Sequence, residues 1–113
     1  MRDEVERLIG TRIDDLVKLE LALYFQQHPA FVDRLEGIAR RLGRDPRVVQ
    51  DALSGLTECG LLECFELGSG KYVLYSYTRD TGMRTLMDGL SAAYHDDPAE
   101  RTAIVKRLMG LQR

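Results

Sequence analysis

The strongest constraint on the fold lies in the turn Gly-Arg-Asp-Pro near the middle of the chain. Gly43 is a typical helix stop, because glycine adopts the left-handed conformation without steric cost. Asp45 is a favourable N-cap, and Pro46 suits the first helical position, where its missing N–H is not needed. The apolar residues that follow have the spacing of one helix face: Val49, Leu53 and Leu56. The sequence therefore predicts two helices, 34–42 (capped by Asp33) and 46–59, joined by a tight turn.

The residues after the second helix change from a helical period to a strand period. LLECFEL and KYVLYSY read as two short strands around a Gly-Ser-Gly turn, which predicts a hairpin over residues 62–77. On the second strand, Val73, Tyr75 and Tyr77 form the more apolar face, so we expect that face to pack inward.

Further helices are predicted on both sides of this central part. They cover residues 2–9, residues 11–27, a segment from Thr78 or Asp80 to Tyr94, and residues 98–112, with Ile104, Leu108 and Leu111 on one face of the last helix. The segment LELALYF is apolar nearly all round, so we expect it in the middle of the fold. No repeat or flexible linker divides the chain. The sequence thus predicts a single domain over residues 1–113, mainly α with a small β-hairpin.

The run IARRLGRDPRVVQDALSGLTECGLLE, followed by the hairpin, carries a resemblance to a known family. Two helices joined by a short turn around a glycine form a helix-turn-helix. With the hairpin after it, the run resembles the winged helix-turn-helix domain of bacterial transcriptional regulators. The resemblance covers about residues 11–78, with 2–9 and 79–112 as additional flanking helices. It implies a DNA-binding regulator of transcription, with helix 46–59 in the major groove and hairpin 62–77 as the wing.

If the resemblance holds, the outward face of helix 46–59 carries the candidate DNA-binding residues. Arg47 can donate to guanine or phosphate, and Gln50 can pair with adenine. Asp51 can accept from cytosine but is repelled by phosphates, and Ser54 suits a backbone contact. Other candidate backbone contacts flank the helix or lie in the wing: Arg40, Arg41, Arg44, Ser69 and Lys71.

The charge balance leaves a second interpretation open. The net charge of the chain is −2 and its pI is about 5.7. Residues 40–54 carry four arginines against two aspartates, which leaves a local charge of only +2. A winged-helix module that binds another protein and not DNA, or a plain solvated helix face and hairpin turn, therefore remains an alternative. The tyrosines of the second strand can stack nucleobases or pack on a helix.

The sequence favours neither an enzyme nor a cofactor-binding protein. It has no phosphate-binding glycine loop, metal-ligand cluster or nucleophile motif, and His95 reads as a loop residue near a helix cap. Cys59 and Cys64 are expected as buried or half-buried thiols, with a redox-sensing pair left open. There is no signal peptide and no apolar run of the ~20 residues that a membrane helix needs, so we expect a cytoplasmic protein.

The two terminal helices, 2–9 and 98–112, are more than a winged domain needs in order to fold. We expect a homodimer through them, because DNA-reading helix-turn-helix proteins commonly place two helices in successive major grooves. The alternative is that both helices fold back on their own domain.

Overall fold

The computed structural model describes residues 1–111, which form six helices and a three-stranded sheet. The helices are α1 (Asp3–Leu8), α2 (Leu16–Gln27), α3 (Leu35–Leu42), α4 (Pro46–Glu58), α5 (Thr81–Asp96) and α6 (Pro98–Leu111). The strands are β1 (Val32–Asp33), β2 (Leu62–Leu67) and β3 (Tyr72–Tyr77). The predicted fold class, mainly α with a small β-hairpin, is confirmed. No helix within residues 1–111 is both long and apolar enough to cross a membrane.

The turn between α3 and α4 forms as its sequence predicts. Gly43 ends α3 in the left-handed conformation, with φ 64°. The carboxylate of Asp45 accepts a hydrogen bond from the backbone N–H of Arg47 at 2.8 Å, and Pro46 occupies the first turn of α4. Local sequence signals therefore define both ends of the turn that orients α4.

Two helix starts were predicted wrongly. The helix expected from Thr11 begins at Leu16, because residues 9–13 form a tight turn and Asp15 caps the backbone N–H of Lys18 at 2.7 Å. Asp33 does not cap α3 from outside the helix. It belongs to β1, and its carboxylate accepts from the neighbouring N–H of Arg34, which itself holds the N-cap position without a side-chain bond.

The sheet contains a short third strand beside the predicted hairpin. Its order is β1-β3-β2, and β1 pairs with β3 through Val32–Ser76 and Asp33–Tyr75. The residues of β3 do not alternate between buried and exposed; they become steadily more buried from Tyr72 to Tyr77. Val73 is 37% exposed, whereas Tyr77 is 4% exposed. The inward face predicted for β3 is therefore correct at Tyr77 and wrong at Val73, because the outer half of the hairpin projects beyond the helices.

The core is built around α2, which contacts α4, α5, α6 and β3. The predicted central position of LELALYF is confirmed, since five of its residues are buried: Leu19, Leu21, Ala22, Leu23 and Phe25. The chain therefore buries both faces of α2, as its nearly continuous apolar sequence requires.

Both terminal helices pack on their own chain. α1 lies against α5, where Gly89 lets the Glu4 side chain approach closely, and α6 lies against α5 and α2. Val5, Leu8, Ile104 and Leu108 are buried completely. Leu111, predicted on the same face of the last helix as Ile104 and Leu108, is exposed. α5 runs two residues past the predicted end at Tyr94, and Gln112, predicted helical, lies outside the described residues.

Candidate nucleic-acid interface

α4 presents one face to solvent and buries the other. Val49, Leu53 and Leu56 are fully buried, which fixes the rotation of the helix about its own axis. Four predicted site residues therefore lie on the exposed face: Arg47, Gln50, Asp51 and Ser54. The side chain of Arg47 is 91% exposed, so this face is open to a partner.

Two of the predicted arginines already have carboxylate partners. Both Nε and Nη2 of Arg44 donate to one oxygen of Glu20 on α2, at 3.2 and 2.8 Å. This hydrogen bond, reinforced by the charge of Glu20, raises the pKa of Arg44. Arg47 lies 3.5 Å from the capping carboxylate of Asp45. A phosphate would therefore have to replace Glu20 and Asp45 as the partner of these side chains.

Arg40 and Arg41 lie on the exposed side of α3. Arg41 is directed to the aromatic residues beside α2, because it donates to the hydroxyl of Tyr24 at 3.3 Å and stacks on Phe31 with its guanidinium carbon 4.8 Å from the ring centre. The guanidinium of Arg41 therefore contacts aromatic side chains, whereas that of Arg44 pairs with a carboxylate.

The wing tip is a glycine-bounded turn with one basic residue. Gly68, Ser69 and Gly70 all have positive φ, at 63°, 58° and 86°, and Ser69 and Lys71 are exposed. The ammonium of Lys71 lies 5.6 Å from the ring centre of Tyr72. This contact holds the single wing cation over the aromatic side chain beside it.

A cleft of about 280 Å³ joins α3, α4 and the wing. Gln50 and Lys71, both predicted site residues, line the same cleft. Tyr72 and Tyr75, which the sequence left open as base-stacking or packing residues, also line it, as do Arg34 and Glu36, for which the sequence predicted no role in the site. In the sequence, Arg34 reads simply as the start of a helix, and no local signal connects it to the wing. It reaches the wing only because β1 pairs with β3 and so brings the beginning of α3 beside the hairpin.

Tyr77 and Tyr75 differ from Tyr72 in their exposure. Tyr77 is buried, and this burial, with a smaller contribution from Asp88, raises its pKa to about 12. Burial likewise raises the pKa of the half-buried Tyr75, with smaller contributions from Cys64 and Glu36. Of these three tyrosines, Tyr72 alone is exposed, at 40%.

Of three side chains outside the interface, two differ from the predictions. His95 is not in a loop but in the last turn of α5, where its Nε2 lies 2.6 Å from the side-chain nitrogen of Gln27. Cys59 is half-buried as predicted, whereas Cys64 is exposed, since on β2 only the residues nearest α4 are buried or half-buried. Within residues 1–111, no group of three or more side chains has the arrangement of a metal site.

A larger cavity, of about 480 Å³, lies between α2, α5 and α6. Its wall is mainly apolar, with leucines of α2 and Val105 of α6. Arg44 and Glu20 also line it, so their ion pair lies where this cavity meets the turn that precedes α4.

Together, the helix-turn-helix of α3 and α4 and the hairpin beside it define a winged-helix fold. Two solved structures of ZitR from Lactococcus lactis share this fold. A double mutant of ZitR superposes with a TM-score of 0.59 at 17% identity, over 85% of this chain and 71% of that chain. A single mutant gives a TM-score of 0.53 at 18% identity, over 87% of this chain and 61% of that chain. No protein-family model and no curated protein sequence matches the chain.

Proposed function

We propose that this protein is a DNA-binding regulator of transcription that inserts α4 into the major groove and lays its wing on the neighbouring backbone. The observation that carries the proposal is the exposed row of Arg47, Gln50 and Ser54 on a helix whose opposite face is fixed in the core. The winged-helix fold adds support, because in this fold the second helix of the helix-turn-helix is the one that meets the groove.

In this proposal, the side chains of α4 divide between bases and phosphates. Arg47 donates to a guanine edge and Gln50 pairs with adenine, since both side chains can form paired hydrogen bonds in the major groove. Asp51 accepts from the amino group of cytosine. Ser54, Arg44 and the wing residues Ser69 and Lys71 contact phosphates and so set the register of the helix. Arg40 belongs to the same phosphate-contacting group.

The ion pairs at the start of α4 are compatible with this role. Both pairs, Arg44–Glu20 and Arg47–Asp45, lie at the surface, where such a pair contributes little to stability because water screens it. Replacing the carboxylate partner of Arg44 or Arg47 by a DNA phosphate therefore costs little. These phosphate contacts also make the affinity for DNA strongly dependent on salt, since phosphate binding releases the counterions of DNA.

A homodimer completes the proposal. The terminal helices are packed on their own chain, but Met109 and Leu111 at the end of α6 remain exposed. Contact between these apolar side chains of two copies would place two α4 helices on one face of DNA.

Sedimentation of the wild type and of Met109→Asp tests the homodimer. We expect a dimer for the wild type and a monomer for the variant, and a monomeric wild type would contradict the proposal.

Fluorescence anisotropy with labelled duplexes tests DNA binding itself. Fragments upstream of the protein's own gene and random duplexes are titrated at low salt, where binding is strongest. Arg47→Ala should weaken binding by about 1–3 kcal/mol and reduce the preference between sequences. Lys106→Ala, which removes one positive charge from α6, is the matched control and should have little effect. Failure of the wild type to bind any duplex at low salt would refute the proposal.

A second candidate function is a module that binds another protein. The internal partners of Arg44 and Arg47 and the exposure of Asp51 favour it, as do Phe65 and Leu67, which are exposed on the edge strand of the wing. Nuclease-treated co-purification distinguishes the two functions. A stable protein partner that is lost in Phe65→Ser, without any DNA binding by the wild type, would favour this second function.

A further inference from the structure

Two cations lie over one exposed aromatic ring where the tip of the wing meets the start of α3. The guanidinium carbon of Arg34 lies 5.4 Å from the ring centre of Tyr72, and the ammonium of Lys71 lies 5.6 Å from it. All three side chains line the cleft of about 280 Å³ between α3, α4 and the wing. We propose that Arg34, Lys71 and Tyr72 form a binding site for one phosphate of the DNA backbone. This inference rests on the proposed function.

The stacked geometry suits an anion. A guanidinium on a ring face uses its flat surface for the stack and leaves its N–H groups at the edge free to donate. Arg34 and Tyr72 are both exposed, so a phosphate can reach the N–H groups at the edge of the guanidinium. Two like charges beside one ring repel each other, and an anion placed between them relieves that repulsion.

The other walls of the cleft limit the charge of the site. Glu36 also lines it, so Arg34 and Lys71 outweigh the single carboxylate by one positive charge. Tyr75 also lines the cleft, and its phenol hydroxyl can donate a hydrogen bond. A net charge of one positive unit matches a single phosphate and not several consecutive phosphates.

Gln50 of α4 lines the same cleft. A phosphate held between Arg34 and Lys71 would therefore lie beside the base that Gln50 contacts. A backbone contact at that place fixes how deeply α4 enters the groove, which is the role of phosphate contacts in groove-reading proteins. The site would link the helix-turn-helix to the wing through a single nucleotide.

The test compares DNA affinity and its salt dependence among matched variants. Loss of one phosphate contact reduces the slope of log K against log salt by about 0.9, which corresponds to roughly an eightfold loss of affinity at 0.1 M salt. Arg34→Ala should show this loss on specific and random duplexes alike. Tyr72→Phe keeps the ring and should bind as the wild type does, whereas Tyr72→Ala should bind more weakly. Glu36→Gln should bind more tightly.

The outcomes separate this inference from the proposed function. All these residues except Tyr75 are exposed, and thermal melts of each variant check that it is folded. Unchanged affinity and slope in Arg34→Ala, together with weakened binding in Arg47→Ala, would overturn the phosphate site and leave the proposed function standing. If the wild type binds no duplex at low salt, both are overturned.

Discussion

Asp45 is predicted to act on stability and on DNA affinity in opposite directions. Its side chain caps α4 by accepting from the N–H of Arg47 at 2.8 Å, and the same carboxylate lies 3.5 Å from the Arg47 guanidinium. Replacing an N-cap aspartate by alanine costs about 1 kcal/mol, within a range of roughly 0.5–2. With an unfolding entropy of about 2.1 cal/mol/K per residue, this loss lowers the Tm of a chain of this length by roughly 4 °C.

Asp45→Asn separates the cap from the charge. Asparagine keeps an acceptor oxygen at the cap, so this variant should lose only a few tenths of a kcal/mol, from the weaker interaction with the helix dipole. Both variants remove the carboxylate beside Arg47. Under the proposed function, both should therefore bind DNA more tightly than the wild type at low salt, and the difference should shrink as salt increases.

Urea unfolding followed by circular dichroism measures the stability, and anisotropy titration measures the affinity. Equal losses of stability in the alanine and asparagine variants would show that the charge, and not the cap, stabilises α4. Unchanged stability in Asp45→Ala would refute the capping argument altogether. Weaker DNA binding in Asp45→Asn would mean that Asp45 itself contacts DNA or positions Arg47.

Three further predictions concern the core, a buried phenol and an ion pair. Leu53→Ala should lower the free energy of unfolding by about 2–5 kcal/mol, since Leu53 is fully buried on the inner face of α4. A loss below about 1 kcal/mol in urea unfolding would contradict the packing of this face. Because the pKa of Tyr77 is raised from 10 to about 12, its ionisation favours the unfolded chain, so the folded state loses stability as the pH rises from 10 to 12. Near-ultraviolet titration of tyrosinate should show one late-ionising tyrosine that is absent in Tyr77→Phe. That variant should be as stable as the wild type at neutral pH, because the buried Tyr77 hydroxyl has no hydrogen-bond partner among residues 1–111; a large loss of stability would argue against this. Glu20→Gln should increase DNA affinity by freeing Arg44, and weaker binding would show that Glu20 positions Arg44 and does not compete with phosphate.

Much of the candidate site could be predicted because its signals are local. The buried and exposed faces of α4 follow from the spacing of its apolar residues, and the capping of α4 follows from Asp45 and Pro46 alone. The hairpin follows from two alternating segments around Gly68, Ser69 and Gly70. Each of these signals involves residues within one or two helical turns or one hairpin of each other, where backbone preferences decide the structure.

The cleft and the ion pairs could not be predicted in this way. Arg44 and Glu20 are 24 residues apart, and the contact of Arg34 with Tyr72 depends on β1, a strand of only two residues that has no period of its own. The wrong start of α2 has a similar origin. Thr11 to Asp15 have acceptable helical spacing, but a turn after Gly10 and the cap by Asp15 compete with it and prevail.

The sequence by itself determined which segments become the helices and the two hairpin strands, β1 excepted, and which face of α4 is exposed. It did so because capping, turn formation and amphipathic spacing depend on neighbouring residues. The tertiary structure alone decided which charges on that face have partners, and which residues of α3 and the wing share a cleft with Gln50. These arrangements depend on contacts between residues that are distant in the chain, and such contacts form only when the core brings their elements together.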